Sequence, residues 1–265
     1  MSDLLLVASS DHVETWTLNR PEALNAFNRG LLEALNRELD RLEGAAPDSL
    51  PRCIVLTGAG ERSFSAGADL KERKTMAPGD VPGFVTLIGG TMTRIAQCAV
   101  PVIAAVHGFA FGGGMEAALA CDLRVVGPGA RLGLTETRLG IIPGAGGTQR
   151  LTRLLGTGGA KSLILTGRRI DAAEAFRMGL AEFETSVEGR QGTLDRALEV
   201  ATEVASCGPV AIRAAKDAID AGLDMPLADA LLHERACYDR TLGTEDRLEA
   251  LAAFAEKRPP VFRGR

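Results

Sequence analysis

The stretch that decides the fold is PVIAAVHGFAFGGGMEAALACD, residues 101–122. Its apolar, partly β-branched run at 102–106 predicts a buried strand, because the run is short and is bounded by proline and glycine. Gly112–Gly114 and the alanine-rich run after them predict a turn that opens a helix. A strand, a glycine turn and a helix start place free backbone N–H groups and the positive end of a helix at one point. An anion, or an oxygen that becomes one, is favoured there.

Glu116 lies in the first turn of the predicted helix. A lone acidic residue in this position usually only complements the helix dipole. Three consecutive glycines, however, weaken a helix start unless the backbone must approach another group closely. Their presence before Glu116 therefore favours a functional interpretation of this carboxylate.

The composition is that of an ordinary globular domain. The 265 residues can bury a substantial core, and 46% of them are hydrophobic and 24% charged. The net charge of −4 argues against a general nucleic-acid-binding surface, which is normally basic. We therefore do not expect a nucleic acid as a partner.

Cysteine and histidine usage argues against disulfides and metal sites. The five cysteines are odd in number, scattered and without a Cys-x-x-Cys motif, and the three histidines lack metal-ligand spacing. Reduced thiols are typical of the cytosol. We find no signal or transit pattern, and no apolar run approaches membrane-spanning length. The sequence predicts a cytoplasmic protein that binds neither a metal nor a membrane.

Strand and helix patterns alternate over the first part of the chain. Strands at 4–8 and 13–18 predict a hairpin with its turn at Ser9–Asp11. Leucines at helical spacing predict a helix over 29–42. The prolines and glycines at 76–83 suggest a mobile segment over a site. Further predictions are strands at 53–56, 102–106, 123–126 and 130–134, a helix at 84–97 and another from about 148. This alternation favours an α/β fold.

Helical patterns dominate from residue 157 onward, with one short strand predicted at 180–184. The helical ranges are 157–165, 171–178, 193–206, 209–221, 226–240 and 244–257. Lys161 and Lys216 lie in these patterns and are interpreted as surface charges. The helices after 209 have apolar faces, which usually cover a core or a neighbouring subunit.

Two glycine-rich stretches resemble nucleotide-binding loops but lack their requirements. The stretch at 156–162 resembles a phosphate-binding P-loop, but that motif needs glycine at the positions of Leu155, which precedes the stretch, and of Ala160. The stretch at 144–147 has the wrong glycine spacing for a dinucleotide loop, which favours a tight turn. The sequence contains no Gly-x-Ser-x-Gly motif, so a serine hydrolase is not supported.

Three glycine-rich elements remain as candidates for a site, at 65–69, 112–116 and 140–147. The first two could each supply one backbone N–H, from Ala68 and Gly113, to a single oxygen. A thioester carbonyl that is polarised toward an enolate needs such a pair of donors. Each donor of this kind contributes roughly 3–4 kcal/mol to lowering the barrier.

A second carboxylate, Glu136, precedes the third of these elements. Alone it would be interpreted as a solvated surface residue. Together with Glu116 it could form an acid–base couple, since proton transfer needs one group to accept a proton and another to donate it.

The chain resembles the crotonase superfamily, the enoyl-CoA hydratases and isomerases, over almost its full length. The resemblance rests on four motifs in the same order, RPEALNA at 20–26, SAGADL at 65–70, FGGGME at 111–116 and IPGAGGTQRL at 142–151. It implies an α/β fold in which ββα repeats form a spiral over residues 1–205, followed by a helical trimerisation region at 206–265. It further implies a homotrimer or a dimer of trimers, in which Lys257 would meet the CoA phosphate of a neighbouring subunit.

The resemblance also implies roles for individual residues. Ala68 and Gly113 match the oxyanion-hole positions, and Glu116 and Glu136 match the two catalytic glutamates of hydratases. Glu116 would mainly activate water for attack at C3, and Glu136 would mainly protonate C2. Further matches concern binding of an acyl-CoA substrate, namely Ala23, Leu24, Ala66, Asp69, Leu70, Lys71, Gly112, Pro143 and Lys257. No metal or organic cofactor is implied, because CoA arrives with the substrate.

A closer likeness is to methylglutaconyl-CoA hydratase. It rests on AGADLKER (66–73), ETRLGIIPG (136–144), GPVA (208–211) and DRLEALAAFAEKRPP (246–260). That subgroup hydrates a branched, acidic enoyl-CoA. Arg131 and Arg138 could meet such an acidic group or lie at the surface, and we favour the surface. The animal member also binds RNA through a lysine-lined helix, whereas the helix at 29–42 lacks lysine here.

The presence of both glutamates favours hydration as the main reaction. A Δ3,Δ2-enoyl-CoA isomerase is the nearest alternative, and a non-catalytic CoA- or RNA-binding oligomer is the alternative of a different class. The non-catalytic alternative would be favoured if either glutamate were missing or if the protein had a basic face. The sequence retains both glutamates and is acidic overall. The sequence leaves open which acyl chain the substrate carries. It also leaves open whether the pathway is fatty-acid β-oxidation or branched-chain amino-acid catabolism.

Overall fold

The structure is a computed structural model that describes residues 3–265, which form ten strands and ten α-helices. The strands are β1 (Leu5–Ser10), β2 (Val13–Leu18), β3 (Cys53–Gly58), β4 (Ser63–Ser65), β5 (Val102–Val106), β6 (Phe109–Phe111), β7 (Leu123–Val126), β8 (Arg131–Gly133), β9 (Ile170–Asp171) and β10 (Phe183–Glu184). The helices are α1 (Arg29–Glu43), α2 (Leu70–Thr75), α3 (Val81–Ala96), α4 (Gly113–Ala120), α5 (Gly147–Ile164), α6 (Ala172–Arg177), α7 (Gly189–Ala205), α8 (Pro209–Gly222), α9 (Leu227–Leu242) and α10 (Glu245–Glu256). Short 3-10 helices cover Pro21–Ala23 and Glu136–Leu139.

The larger sheet has the strand order β1-β2-β3-β5-β7-β10. Its first two strands are antiparallel and the other neighbours are parallel. Successive residues of a strand point to opposite faces of the sheet. Ile54 and Leu56 of β3 therefore join the main core, whereas Cys53 and Val55 join a second core formed with α7. Because both faces are covered, β3 and β5 are continuous buried runs.

The smaller sheet has the strand order β4-β6-β8-β9. Each of the successive pairs β3–β4, β5–β6 and β7–β8 contributes its first strand to the larger sheet and its second strand to the smaller one. One or more helical segments follow each pair. This arrangement is the spiral of ββα repeats that the resemblance implied, and the predicted α/β fold class is confirmed.

The structure differs from the sequence predictions at several boundaries. The first strand continues to Ser10, so the hairpin turn is Asp11-His12 rather than Ser9–Asp11, and both turn residues have positive φ. The predicted helix break near 157 is a kink inside α5, where Gly156 has a φ of 68°. Strands β4, β6 and β9 escape the sequence prediction, because runs of two or three residues are too short to show a periodicity.

The interpretation of Lys216 as a surface charge is wrong. Its ammonium group on α8 is largely buried and pairs with Asp122. It also donates to Asp220 at 2.7 Å and to the Ala96 carbonyl at 3.0 Å. Helical periodicity cannot reveal this pairing, because Asp122 is 94 residues away along the chain. Lys161, in contrast, is exposed as predicted.

The C-terminal helices α8, α9 and α10 follow the spiral, and α8 packs against α9. Large apolar side chains on these helices are exposed, namely Ile219, Leu227, Leu231, Leu232, Leu248, Leu251 and Phe254, as is Leu223 at the end of α8. The division of the chain between residues 205 and 206 stays a prediction. No helix in residues 3–265 is both long enough and apolar enough to cross a membrane.

Candidate active site

A cavity of about 560 Å³ lies where the starts of α2 and α4 face the turn that follows β8. Its lining is mostly apolar and includes Val85 and Ile88 from α3. Among the described residues, the ionisable side chains that line it are Arg73, Glu116 and Glu136. An apolar pocket with a few convergent polar groups is typical of a site for a small organic ligand.

Two glycine turns bring Ala68 and Gly113 side by side. Gly67 and Gly112 have φ values of 93° and 52°, which residues with a side chain rarely adopt. A Cβ atom on Gly67 would lie 2.9 Å from the Gly113 nitrogen, and one on Gly113 would lie 3.5 Å from the Ala68 nitrogen. Neither the Ala68 nor the Gly113 N–H donates a hydrogen bond within residues 3–265. Both residues line the cavity, so both donors are available to an oxygen atom of a ligand.

Glu116 lies in the first turn of α4 and is buried. Its Oε1 accepts hydrogen bonds from the N–H groups of Ala145 (2.7 Å) and Gly147 (2.9 Å). Burial raises the pKa of Glu116, while these two N–H groups and the charge of Arg150 oppose the rise. A side chain at Gly147 would have little room, because a Cβ there would lie 3.0 Å from the same oxygen. The loop at 145–147 therefore orients the carboxylate through Oε1 alone.

Glu136 begins the 3-10 helix on another wall of the cavity. Its Oε2 is buried and has no hydrogen-bond partner within residues 3–265. Burial raises the pKa of Glu136 to about 7, with a smaller contribution from the negative charge of Glu116. A Cβ on Gly112 would lie 3.2 Å from Glu136 Oε1, so the carboxyl group is next to the glycine turn. Two backbone N–H groups stabilise the charged form of Glu116, and burial raises the pKa of Glu136 to about 7, so that Glu136 can hold a proton near neutral pH, as the acid of an acid–base pair must.

The residues predicted to bind the CoA thioester fall into two groups. Ala66, Leu70 and Gly112 line the cavity. Six others lie outside its lining, namely Ala23, Leu24, Asp69, Lys71, Pro143 and Lys257. Leu24 adjoins the first group, because its carbonyl accepts a hydrogen bond of 2.9 Å from the Ala66 N–H. Their roles in binding stay predictions.

Asp69 stabilises the start of α2. Its carboxylate accepts hydrogen bonds from the N–H groups of Lys71 (3.0 Å) and Glu72 (3.2 Å), and it forms an ion pair with Arg20 at 2.9 Å. The side chain of Lys71 is exposed on the same helix. Lys257 is exposed too, in a left-handed conformation that ends α10.

Arg131 and Arg138 lie outside the cavity lining. Their guanidinium groups each donate to a backbone carbonyl, of Ala130 and of Gly167, at 2.8 Å. Both are exposed, in agreement with the favoured interpretation as surface residues. The cationic side chain of the cavity is Arg73, which the sequence analysis does not identify. Its spacing of three residues from Leu70 places both on one face of α2 and is the available signal.

The chain matches a known family of enzymes over almost its full length. The family model for enoyl-CoA hydratase/isomerase matches residues 9–265. The chain belongs to this family, and the predicted crotonase resemblance is confirmed.

Individual relatives cover most of the chain. The mitochondrial methylglutaconyl-CoA hydratase of Mus musculus is 45% identical over 93% of this chain and 78% of its own length. The mitochondrial enoyl-CoA hydratase domain-containing protein 2 of Mus musculus is 44% identical over 94% of this chain and 83% of its own. A crystal structure of an enoyl-CoA hydratase from Bacillus anthracis matches with a TM-score of 0.94 and 46% identity, over 99% of this chain and 100% of the other.

Proposed function

We propose that this protein is an enoyl-CoA hydratase that adds water across the 2,3 double bond of a 2-enoyl-CoA thioester. The proposal rests on one observation. Two glutamates in different surroundings, and two backbone N–H groups that have no acceptor within residues 3–265, line the same cavity. Glu116 accepts two backbone hydrogen bonds, whereas Glu136 has a pKa of about 7 and a buried oxygen that finds no hydrogen-bond partner among residues 3–265. The identity of more than 40% to hydratases of this family supports the same reaction.

In the proposed reaction, the thioester oxygen accepts hydrogen bonds from the N–H groups of Ala68 and Gly113. The Glu116 carboxylate takes a proton from water as the water oxygen bonds to C3. The electron pair of the double bond moves onto the thioester as an enolate, and Glu136 donates its proton to C2. The product is a 3-hydroxyacyl-CoA, and the two carboxyl groups have exchanged protonation states, which solvent restores.

The oxyanion donors and the two glutamates can together account for a large acceleration of the hydration reaction. Each oxyanion donor lowers the barrier by about 3–4 kcal/mol. Proton transfer by a positioned side chain contributes about 10²–10⁴-fold. The apolar walls around Val85 and Ile88 strengthen these interactions, because they keep water away from the reacting atoms.

The proposal needs no metal and no organic cofactor, because CoA is part of the substrate. Backbone atoms of Ala23, Leu24 and Ala66 would hold the pantetheine and adenine, and Asp69, Leu70 and Lys71 would continue that wall. Gly112 and Pro143 would contact the acyl thioester.

The test measures the loss of enoyl-thioester absorbance with crotonyl-CoA. We expect rapid consumption by the parent protein and a loss of at least about 10³-fold in the double variant E116Q/E136Q. Acetyl-CoA binding, measured by calorimetry, should be similar in both proteins. If the parent binds acetyl-CoA and leaves crotonyl-CoA unchanged, the hydratase proposal is wrong and the non-catalytic alternative gains support. Conversion of 3-enoyl-CoA by the parent would measure the isomerase activity, which we propose as a side reaction of the same two glutamates.

We also propose that residues 206–265 form the interface of a homotrimer, or of a dimer of trimers. The exposed apolar side chains on α9 and α10, among them Leu232 (71% exposed) and Phe254 (86% exposed), support this proposal. We expect the mass of three or six chains in analytical ultracentrifugation, and that of one chain after F254D or L232D. A parent protein that sediments as a monomer at micromolar concentration would contradict the proposal.

Lys257 is proposed to meet a CoA phosphate of the neighbouring subunit. It ends α10 and its side chain is exposed. We expect K257E to weaken the binding of CoA and of acetyl-CoA. Unchanged affinity in a protein that still forms the oligomer would remove Lys257 from the site.

A further inference from the structure

A group of side chains that can ligate a metal lies between α8 and α9. Among the described residues, one group has at least three such members, namely Asp217, His233 and Cys237. With one ligand atom from each residue, the three atoms lie within 4.8 Å of one another. None of these residues lines the cavity of the candidate active site. The prediction of no metal site rests on spacing along the chain, which cannot reveal the group because Asp217 belongs to a different helix.

The packing of the two helices brings these side chains together. His233 and Cys237 are four residues apart on α9, so they lie on the same face of that helix. This face meets α8, which supplies Asp217. Cys237 is 3% exposed, whereas the side chains of His233 and Asp217 are 28% and 42% exposed. The group therefore has a buried thiol on one side and is open to solvent on the other.

The distances within the group are close to those between ligands of one metal ion. His233 Nε2 lies 3.3 Å from Asp217 Oδ1 and 3.4 Å from Cys237 Sγ. Cys237 Sγ lies 3.7 Å from Asp217 Oδ2. A tetrahedral zinc ion, with a Zn–N distance of about 2.0 Å and a Zn–S distance of about 2.3 Å, places neighbouring ligand atoms about 3.3–3.6 Å apart. The three side chains therefore need only small adjustments to bind one ion.

Hydrogen bonds alone do not satisfy this group. Asp217 Oδ1 and Cys237 Sγ both approach the same nitrogen of His233, which carries either one proton or one lone pair. That nitrogen can therefore form one well-aligned hydrogen bond with one of its two neighbours. Arg240 pairs with Asp217 Oδ2 at 2.6 Å, which leaves Oδ1 directed toward His233. A divalent cation can bind all three side chains at once, and Arg240 then orients the ligating carboxylate from outside, as partners of metal ligands commonly do.

We propose that Asp217, His233 and Cys237 bind one Zn²⁺ ion, with a water molecule as the fourth ligand. A thiolate, an imidazole and a carboxylate are ligands that zinc binds, whereas magnesium and calcium prefer oxygen ligands alone. The ion joins α8 to α9 and stabilises the packing of these helices. It takes no part in the proposed hydration, because its ligands lie outside the cavity.

The test uses Co²⁺ as a spectroscopic probe of the full-length protein, after bound metals have been removed with a chelator. We expect binding of one Co²⁺ per chain, with a near-ultraviolet absorption band from charge transfer between the thiolate and cobalt. Zn²⁺ should displace the Co²⁺ and remove the band, because such sites bind zinc more tightly than cobalt. C237S should lack the band. H233N and D217N should bind Co²⁺ at least about 100-fold more weakly, since loss of an outer partner alone costs about 10- to 100-fold.

The matched control is C207S, which removes an exposed cysteine outside the group and should keep the band. Zn²⁺ at about 100 times its Kd should raise the Tm of the parent by about 5 °C, and that of C237S by less than about 1 °C. If C237S folds poorly by circular dichroism, H233N at its partly exposed position provides the same test. The proposal is wrong if Co²⁺ gives no thiolate band, if the band persists in C237S, or if C207S removes it.

Discussion

Two walls of the cavity carry the two glutamates, and they differ in nearly every physical respect. The glycine wall, residues 112–116, is formed by the turn before α4 and by the start of that helix, whose residues 113–120 are all buried. It lies so close to β4 that a Cβ on Gly114 would be 2.0 Å from the Ser65 carbonyl oxygen. The turn wall, residues 136–142, is a 3-10 helix and a loop that exposes Leu139 (61%) and Ile142 (69%).

The two carboxyl groups reflect this difference. Burial raises the pKa of both, but Glu116 accepts hydrogen bonds from two backbone N–H groups of another segment, whereas the backbone hydrogen bond that lowers the pKa of Glu136 comes from its own residue. Within residues 3–265, Glu136 Oε2 is buried and has no hydrogen-bond partner. A rigid, closely packed wall thus holds the group proposed as base, and a more exposed wall holds the group proposed as acid. Burial therefore does not by itself distinguish the roles of the two glutamates, whereas the hydrogen bonds around them do.

The largest expected effect is that of E116Q. The amide oxygen can still accept from Ala145 and Gly147, so the fold should be retained while the proton acceptor is lost. We expect kcat/KM for crotonyl-CoA to fall by about 10³- to 10⁴-fold with an unchanged melting temperature. E33Q on the exposed face of α1 is the matched control and should be fully active. A loss of less than tenfold in E116Q would mean that Glu136 alone performs both proton transfers.

The next effect concerns pH and Glu136. Because burial raises its pKa to about 7, the proton that it donates is present below that pH and absent above it. We expect kcat/KM of the parent to fall about tenfold per pH unit above pH 7. E136Q should lower kcat/KM by about 100-fold and abolish this high-pH decline. A decline that persists in E136Q would assign it to another group.

The same pKa shift affects folding stability. The unfolded chain releases the Glu136 proton near its ordinary pKa of 4.5, whereas the folded protein keeps it up to about pH 7. The folded state therefore binds more protons in this window, and the contribution of Glu136 to the free energy of unfolding decreases as the pH rises through it. In E136Q, this part of the pH dependence should disappear.

A smaller effect is expected at Gly147, in the loop at 145–147 that orients Glu116. A methyl group on Gly147 would meet Glu116 Cγ and Oε1 and Leu134 Cδ1, each at 3.0 Å, so G147A requires shifts of a few tenths of an ångström. We expect kcat to fall by about tenfold, because misplacement of a proton-transferring group is costly, while KM changes little. G158A on the same helix, where a Cβ would meet nothing within 4 Å, is the matched control. Equal activity of G147A and the parent would show that the hydrogen bonds to Glu116 Oε1 tolerate displacement.

The smallest effect on catalysis is expected far from both walls. K216M leaves Asp122 without its buried counterion, and we expect it to lower the free energy of unfolding by about 3 kcal/mol. The kcat of the folded fraction should not change. K161M removes an exposed charge and should leave stability within about 0.5 kcal/mol of the parent. A large loss of kcat in K216M at a temperature where it is folded would contradict the view that activity depends on the two walls alone.

The glycine elements at 65–69 and 112–116 could be recognised without a structure, because strands, glycines and helix starts have local sequence patterns. The same patterns placed Ala68, Gly113 and Glu116 near one point. The pairing of Lys216 with Asp122 could not be recognised, since it joins helical and turn segments that are distant along the chain. The place of Arg73 in the cavity wall could not be recognised either. It is one of several basic residues on α2, and its neighbours in the sequence do not distinguish it from the others.

By itself, the sequence determined the alternation of strands and helices, the glycine turns that orient backbone donors, and the presence of two carboxylates in a recognisable family pattern. These properties depend on residues close together in the chain, so periodicity and glycine spacing express them directly. Only the tertiary structure decided that the N–H groups of Ala145 and Gly147 bind Glu116, that Glu136 has an unpartnered buried oxygen, and that Arg73 lines the cavity. Burial and hydrogen bonding depend on which distant segments pack together, and these determine the pKa of a carboxyl group and the charge that a pocket presents to its ligand.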